Sequence, residues 1–95
     1  MAGYRLYPRE VEEAILAYEG VRQVAVVGIK DDLFGQKIVA QVVPSVENLS
    51  IEMLNSFLKG ALPTYMLPDS IYIKEHLPMT GSGKTNYAEI KQEYE

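Results

Sequence analysis

Two apolar, β-branched stretches separated by a short polar turn constrain the fold of this chain most strongly. They cover residues 24–29 and 37–43. Nearly continuous runs of valine, isoleucine and alanine are typical of strands that are covered on both faces. Because the connection between them is short and contains Gly35, we expect an antiparallel pair. The pattern argues against an all-helical bundle.

Three helices are predicted around these strands. The first begins near Pro8, which suits the first helical position, and ends before Gly20. Ser50 suits the N-cap of the second, and Asn86 with Glu89 resembles a capping box for the third. In each case the apolar residues recur on one face: Val11, Ala14, Ile15 and Tyr18; Ile51, Leu54, Phe57, Leu58 and Ala61; Tyr87, Ile90 and Tyr94.

A third strand is predicted over residues 70–74, after a stiff bend at residues 63–68 that contains two prolines. The element order is therefore helix, strand, strand, helix, strand, loop, helix. This order predicts an α+β domain in which a small three-stranded sheet is covered by helices. If the second and third strands are neighbours, the crossover through the second helix should be right-handed.

Length and charge limit the function classes. Ninety-five residues correspond to a single domain. A net charge of −4 argues against nucleic acid as the main partner, and the absence of cysteine excludes a disulfide framework or a thiolate metal site. No apolar run is long enough to cross a membrane, so we expect a cytoplasmic protein with no membrane partner.

The glycine-rich loop, residues 77–85, is the strongest candidate site. Gly81, Ser82 and Gly83 precede Lys84, and a cation on a flexible stem suits a phosphate or carboxylate. The three residues from Gly83 resemble the end of a nucleotide-binding P-loop, but that motif requires a glycine where this chain has Pro78. A P-loop NTPase is therefore not expected. A solvated turn lysine remains the alternative interpretation of Lys84.

Other candidate residues carry weaker signals. Ser70 follows an aspartate, as in acyl carrier proteins that bear phosphopantetheine, but its neighbours predict a strand and carriers are helical. His76 is the only histidine, so no second imidazole can share a metal with it. Asp31 and Asp32 lack the ligand spacing of a calcium loop and are interpreted as a solvated turn. No metal site is predicted.

Five segments follow one another along almost the whole chain: GYRLYPREVE at 3–12, GVRQVAVVG at 20–28, DLFGQK at 32–37, LPTYMLP at 62–68 and LPMTGSGK at 77–84. Together they resemble the C-terminal domain of adenylate-forming ligases. That superfamily includes acyl-CoA synthetases, nonribosomal peptide synthetase adenylation domains and luciferases. After Lys84 the chain departs from the family pattern: Asn86 and Tyr87 replace an acidic residue and an arginine, which we interpret as capping and packing variation.

The resemblance implies a mobile lid that works on a larger N-terminal domain. In the family that domain binds ATP, magnesium and the carboxylic acid, so this chain alone is expected to bind none of them and to be inactive. The family's hinge residue before Gly3 is absent, so we expect the chain to begin at or just after the domain boundary. The large domain, in the same chain or in a separate subunit, is the implied partner.

The resemblance also implies roles for individual residues. Lys84 would be the catalytic lysine for carboxylate activation by ATP, which yields an acyl- or aminoacyl-adenylate. Gly81, Ser82 and Gly83 would support its loop. Gly3, Tyr4 and Arg5 would form a second face for thioester formation, with coenzyme A or a carrier protein as the thiol partner. The alternative hypothesis is a non-catalytic, stand-alone module that docks on a carrier protein or a synthetase.

Overall fold

The computed structural model describes residues 7–33 and 35–95. The elements in chain order are α1 (Pro8–Leu16), β1 (Val21–Asp31), β2 (Gly35–Pro44), α2 (Ile51–Ala61), β3 (Ser70–Ile73) and α3 (Tyr87–Gln92), with a 3-10 turn at Thr64–Met66. The α+β class and the predicted element order are confirmed. Both strands of the first pair extend a few residues beyond the apolar runs, because their polar ends continue the same backbone pairing.

The three strands form one open, mixed sheet in the order β1-β2-β3. β1 and β2 are antiparallel, as the short connection predicted. β3 pairs with β2 in parallel, so the second and third strands are neighbours. Ser70 is the first residue of β3, which contradicts a helical carrier protein. Within the described part of the chain, no helix is long and apolar enough to cross a membrane.

Both faces of the β1–β2 pair are covered, as the continuous apolar runs predicted. Alternate side chains of a strand point to opposite faces, so each strand contributes to two separate cores. On one face α1 and α2 cover the sheet, and on the other face Leu77 and α3 cover it. The buried members are Val11, Ile15, Val24, Val26, Ile38, Ala40, Val42, Leu54, Leu58 and Met66 in the first core, and Ala25, Val27, Ile29, Val39, Val43, Leu77 and Ile90 in the second.

The helix ends follow the capping signals. Pro8 occupies the start of α1, and the Ser50 hydroxyl accepts a hydrogen bond of 3.1 Å from the Met53 N–H at the start of α2. Gly20 follows α1 with a φ of +108°, and a Cβ there would lie 3.2 Å from Cγ2 of Val46. The positive φ therefore favours glycine at this turn, and the close approach of the Val46 side chain adds to that preference.

One buried polar residue was not anticipated. Gln41 is fully buried in the middle of β2, on the face that α3 covers. Its Nε2 donates to the Tyr94 hydroxyl at 2.8 Å and to Oε1 of Glu93 at 3.2 Å, whereas its Oε1 has no hydrogen-bond partner among the described residues. The Tyr94 ring also stacks on Tyr72 at 5.1 Å. These contacts hold the end of α3 against the central strand.

The first core predicts a clear contrast between two residues of α2. Leu58 is fully buried and Met53 is 63% exposed. We expect Leu58→Ala to lower the free energy of unfolding by about 3 kcal/mol, because it removes buried methyl groups and leaves a cavity. Met53→Ala should change it by less than about 0.5 kcal/mol. Urea unfolding followed by circular dichroism measures both, and equal losses would contradict this assignment of the core.

Candidate functional site

The glycine-rich loop folds into a short hairpin, residues 79–85, which we call the glycine hairpin. Thr80 N–H donates to the Lys84 carbonyl at 2.7 Å, and Gly83 N–H donates to the Thr80 carbonyl at 3.0 Å. Met79 and Thr85 form an isolated antiparallel bridge at its base. The two glycines thus mark a closed turn with a regular hydrogen-bond pattern, where the sequence predicted only an irregular loop.

Gly83 has the backbone conformation that this turn requires. Its φ is +85°, in the left-handed region that residues with a Cβ rarely adopt. Gly81 does not share this conformation, and a Cβ at either position would meet nothing within 4 Å. The need for glycine at 83 is therefore conformational.

Polar side chains stabilise the turn from within. The hydroxyl groups of Thr80 and Ser82 lie 3.0 Å apart, and the Lys84 N–H donates to Oγ1 of Thr80 at 3.2 Å. Ser82 and Gly83 thus contact the same threonine that pairs with Lys84. The hairpin backbone leading into Lys84 is fixed on both sides of the turn.

Lys84 is exposed at the end of this turn. Among residues 7–33 and 35–95, no carboxylate lies within 4 Å of its Nζ, whereas Lys37 and Lys74 each form an ion pair of 3.7 Å, with Asp31 and Glu93. Its ammonium is therefore available to an external anion. An exposed, uncompensated lysine on a fixed backbone is suited to contact a phosphate or carboxylate that another molecule or domain supplies.

The base of the glycine hairpin is fixed to the sheet. Leu77 before it and Ile90 after it are buried in the second core. Asn86 N–H donates to the Pro78 carbonyl at 2.8 Å, and the Asn86 side chain accepts from Glu89 N–H at 3.1 Å. The predicted N-cap at Asn86 is confirmed, but the reciprocal bond of a capping box is not formed, because the Asn86 N–H donates to Pro78 and not to the Glu89 side chain. Asn86 thereby joins the hairpin directly to α3.

A carboxylate from α1 reaches the start of α3. Oε2 of Glu12 accepts hydrogen bonds of 2.8 Å from the Val26 N–H and from the Tyr87 hydroxyl. Partial burial, and then the hydrogen bond and the negative charge of Glu12, raise the pKa of Tyr87 to about 12, against a smaller opposing effect of Arg9. Sequence analysis missed this contact because Glu12 and Tyr87 are 75 residues apart.

The remaining predicted residues are not part of this arrangement. Gly3, Tyr4 and Arg5 lie outside the described residues, so their proposed role stays a prediction. His76 is exposed after β3. Asp31, predicted to lie in a solvated turn, is instead the half-buried last residue of β1, where it pairs with Gly35, and its carboxylate accepts from the Leu33 N–H at 2.8 Å. The described residues contain no group of three or more histidine, aspartate or glutamate side chains that could hold a metal ion.

Comparison with known proteins identifies one family. Residues 10–84 match the family described as AMP-binding enzyme C-terminal domain. The chain is 38% identical over 92 residues to a 2-succinylbenzoate–CoA ligase from Listeria innocua, covering 97% of this chain and 20% of that protein. It is 38% identical over 84 residues to an isonitrile lipopeptide synthase from Streptomyces coeruleorubidus, covering 88% of this chain and 6% of that protein.

Solved structures show the same fold. A fatty acyl CoA synthetase from Mycobacterium tuberculosis superposes with a TM-score of 0.88 at 29% identity, over 97% of this chain and 18% of that protein. The chain thus spans at most about a fifth of the length of these relatives.

The glycine hairpin predicts different effects for two matched substitutions. Gly83→Ala should lower the free energy of unfolding by about 1 kcal/mol, because alanine is strained at positive φ. Gly81→Ala should leave it unchanged within about 0.5 kcal/mol, since neither space nor positive φ opposes it. Urea unfolding of both variants gives the comparison. A larger loss for Gly81→Ala would contradict the turn described here.

The Glu12 contact predicts a late tyrosine titration. Because the pKa of Tyr87 is raised from 10.0 to about 12, the folded chain holds this proton more tightly than the unfolded chain. The contribution to stability is complete below pH 10 and is lost as the pH rises through about 12. In a pH titration followed by tyrosinate absorbance, one tyrosine should ionise near pH 12, and Tyr87→Phe should remove it. If Tyr87→Phe instead removes a tyrosine that ionises near pH 10, the contact with Glu12 is contradicted.

Proposed function

The chain belongs to the family of AMP-binding enzyme C-terminal domains, and from this membership we propose that it is the mobile C-terminal domain of an adenylate-forming ligase. Lys84 serves as the catalytic lysine for carboxylate activation by ATP. A second face, formed by Gly3, Tyr4 and Arg5, serves thioester formation. The larger part of the ligase lies outside the region that this chain matches in its relatives.

The observation that supports this proposal most directly is the state of Lys84. Its ammonium is exposed and has no carboxylate partner among the residues that the structure describes. The turn that carries it is closed by four hydrogen bonds of Thr80, of which one is with Ser82, one with Gly83 and two with Lys84. A lysine that served only solubility would need no such fixed support.

The chemistry explains why an ammonium is required at this point. A carboxylate oxygen forms a bond to the α-phosphorus of ATP, the bond from that phosphorus to the bridging oxygen breaks, and pyrophosphate leaves. Two anions must approach each other, and negative charge develops on the phosphoryl oxygens. Lys84 offsets the repulsion and orients the carboxylate for in-line attack. By analogy with other preorganised donors, this contact contributes about 3–4 kcal/mol in the transition state.

We assign ATP, magnesium and the acid to the large domain. No step assigned to this chain involves the metal, since its part in the proposal is the contact of Lys84 with the carboxylate and the α-phosphate. The chain therefore contributes the lysine and the large domain contributes the nucleotide pocket. Alone, the chain does not form an adenylate.

The second half-reaction is assigned to the segment that contains Gly3, Tyr4 and Arg5. The sulfur of the thiol attacks the acyl carbon of the adenylate, a thioester forms, and AMP leaves. Glycine at position 3 would allow the backbone to approach the path of the thiol closely. Coenzyme A and a carrier protein are the two thiol donors that fit this role. Lys84 has no part in this step, which makes the two half-reactions separable.

A chimera tests the proposal. In this chimera, the present chain replaces the region that it matches in the 2-succinylbenzoate–CoA ligase of Listeria innocua, about a fifth of that protein. We expect the chimera to catalyse acid-dependent exchange of pyrophosphate into ATP, and Lys84→Ala to slow this exchange by hundreds-fold, about 3–4 kcal/mol. Transfer from a preformed adenylate to coenzyme A should be retained.

Two controls make the result specific. Lys59→Ala removes another exposed lysine, from the last turn of α2 on the opposite face of the sheet, and should leave both half-reactions unchanged. Lys84→Arg retains the charge with altered geometry and should fall between wild type and alanine. A folded chimera that is inactive with Lys84 in place, or equal loss of both half-reactions in Lys84→Ala, contradicts the proposal. Full activity of Lys84→Ala favours a non-catalytic docking module.

A further inference from the structure

A single carboxylate oxygen joins three elements of this domain. Oε2 of Glu12, in α1, accepts from the backbone N–H of Val26, in β1, and from the hydroxyl of Tyr87, at the start of α3, each at 2.8 Å. α1 and α3 lie on opposite faces of the sheet. The contact therefore passes around the free edge of β1 and links the two layers of helices.

The Val26 contact fixes the position of the acceptor. Among the described residues β1 is an edge strand of the sheet, so its outward N–H groups have no partner in another strand of that part of the chain. An unpaired edge N–H requires another acceptor, and Glu12 supplies one at Val26. A hydrogen bond to a charged acceptor is stronger than one between neutral groups. Glu12 is thereby held at a defined point beside the sheet.

Tyr87 transmits this position to the glycine hairpin. It is the first residue of α3 and lies three residues after Lys84. The residues between them are also fixed, since Thr85 pairs with Met79 and Asn86 N–H donates to the Pro78 carbonyl at 2.8 Å. No flexible segment separates the Tyr87 hydroxyl from the backbone of Lys84.

We propose that Glu12 and Tyr87 are positioning residues for Lys84: their shared hydrogen bond fixes the direction of the glycine hairpin relative to α1 and the edge of β1. This inference rests on the proposed function of Lys84. Neither residue touches the reacting atoms. Their role is to hold the lysine where an acid and a phosphate that are bound by the large domain can meet it.

The exposure of Tyr87 separates positioning from simple stabilisation. Tyr87 is 43% exposed and its hydrogen bond to Glu12 is exposed as well, so loss of the hydroxyl should cost little stability. Reaction rates, in contrast, are sensitive to displacements of about 1 Å in the reacting geometry. Removal of this hydroxyl is therefore expected to affect rate more than stability.

Nuclear magnetic resonance of this chain tests the orientation directly. In the wild type, residual dipolar couplings of the amides of residues 80–85 should fit the same alignment tensor as those of β1 and β2. In Tyr87→Phe and Glu12→Ala, the couplings of the hairpin amides should become smaller than this tensor predicts, while those of β1 and β2 should still fit it. Glu12→Gln retains an acceptor oxygen, so its hairpin couplings should stay close to those of the wild type. Unchanged hairpin couplings in both Tyr87→Phe and Glu12→Ala would overturn the proposal.

Two matched variants control for general effects. Tyr72 is also 43% exposed, so Tyr72→Phe removes a hydroxyl from an equally exposed tyrosine on β3. Glu13→Gln neutralises the neighbouring, exposed carboxylate of α1. Both should leave the hairpin couplings unchanged. Amide hydrogen exchange at Val26 should become about tenfold faster in Glu12→Ala but not in Tyr87→Phe, because only the first removes its acceptor.

The chimera provides the kinetic counterpart. Tyr87→Phe should lower kcat of pyrophosphate exchange about tenfold, with KM for ATP and the rate of thioester formation unchanged. Glu12→Ala should lower kcat similarly, and the double variant should be no slower than Glu12→Ala alone. A fall in kcat that Tyr72→Phe reproduces, or additive effects of the two substitutions, contradicts a shared role.

The outcomes for Lys84 and for this pair are distinguishable. If Lys84→Ala abolishes the exchange while Tyr87→Phe and Glu12→Ala leave it unchanged, the positioning role is wrong and the proposed function stands. If Lys84→Ala has no effect on the exchange, the proposed function fails, and with it the role of Glu12 and Tyr87.

Discussion

Burial of both faces of the β1–β2 pair is the constraint on which this structure depends. A two-stranded antiparallel pair is marginal alone, and here α1 and α2 cover one face while α3 and Leu77 cover the other. The glycine hairpin contributes little apolar surface of its own. It is ordered because Leu77 and Ile90, on either side of it, are buried in the second core. The attachment of the glycine hairpin to the sheet therefore follows from this packing.

Local signals in the sequence predicted most of the fold. The apolar runs, Pro8, Ser50 and Asn86 each act through neighbouring residues, and the structure confirms the elements they indicated. The pairs Glu12–Tyr87 and Gln41–Tyr94 were missed, because each joins side chains more than fifty residues apart. A glutamine within an apolar strand and a tyrosine at a helix start carry no local sign of their partners.

The sequence indicated which residues form the candidate site, but it did not predict their geometry. The glycines and Lys84 marked the loop, whereas the pairing of Thr80 with Lys84 and the left-handed conformation of Gly83 appear only in the structure. An exposed ammonium without a carboxylate partner costs little in water, since it remains solvated. The domain thereby keeps a positive charge available, and the proposed function uses it for an anion that the large domain would supply. Lys37 and Lys74, in contrast, have carboxylate partners of their own.

If Lys84 completes a pocket that belongs to the large domain, its ammonium must contact both reacting anions at once. A crystal structure of the Listeria chimera with ATP and 2-succinylbenzoate bound tests it most directly. Nζ of Lys84 should lie within hydrogen-bond distance, about 2.7–3.2 Å, of both an acid oxygen and an α-phosphate oxygen. An Nζ that is paired with a carboxylate of its own domain, or that faces solvent while both substrates are bound and the domains are closed, would contradict it.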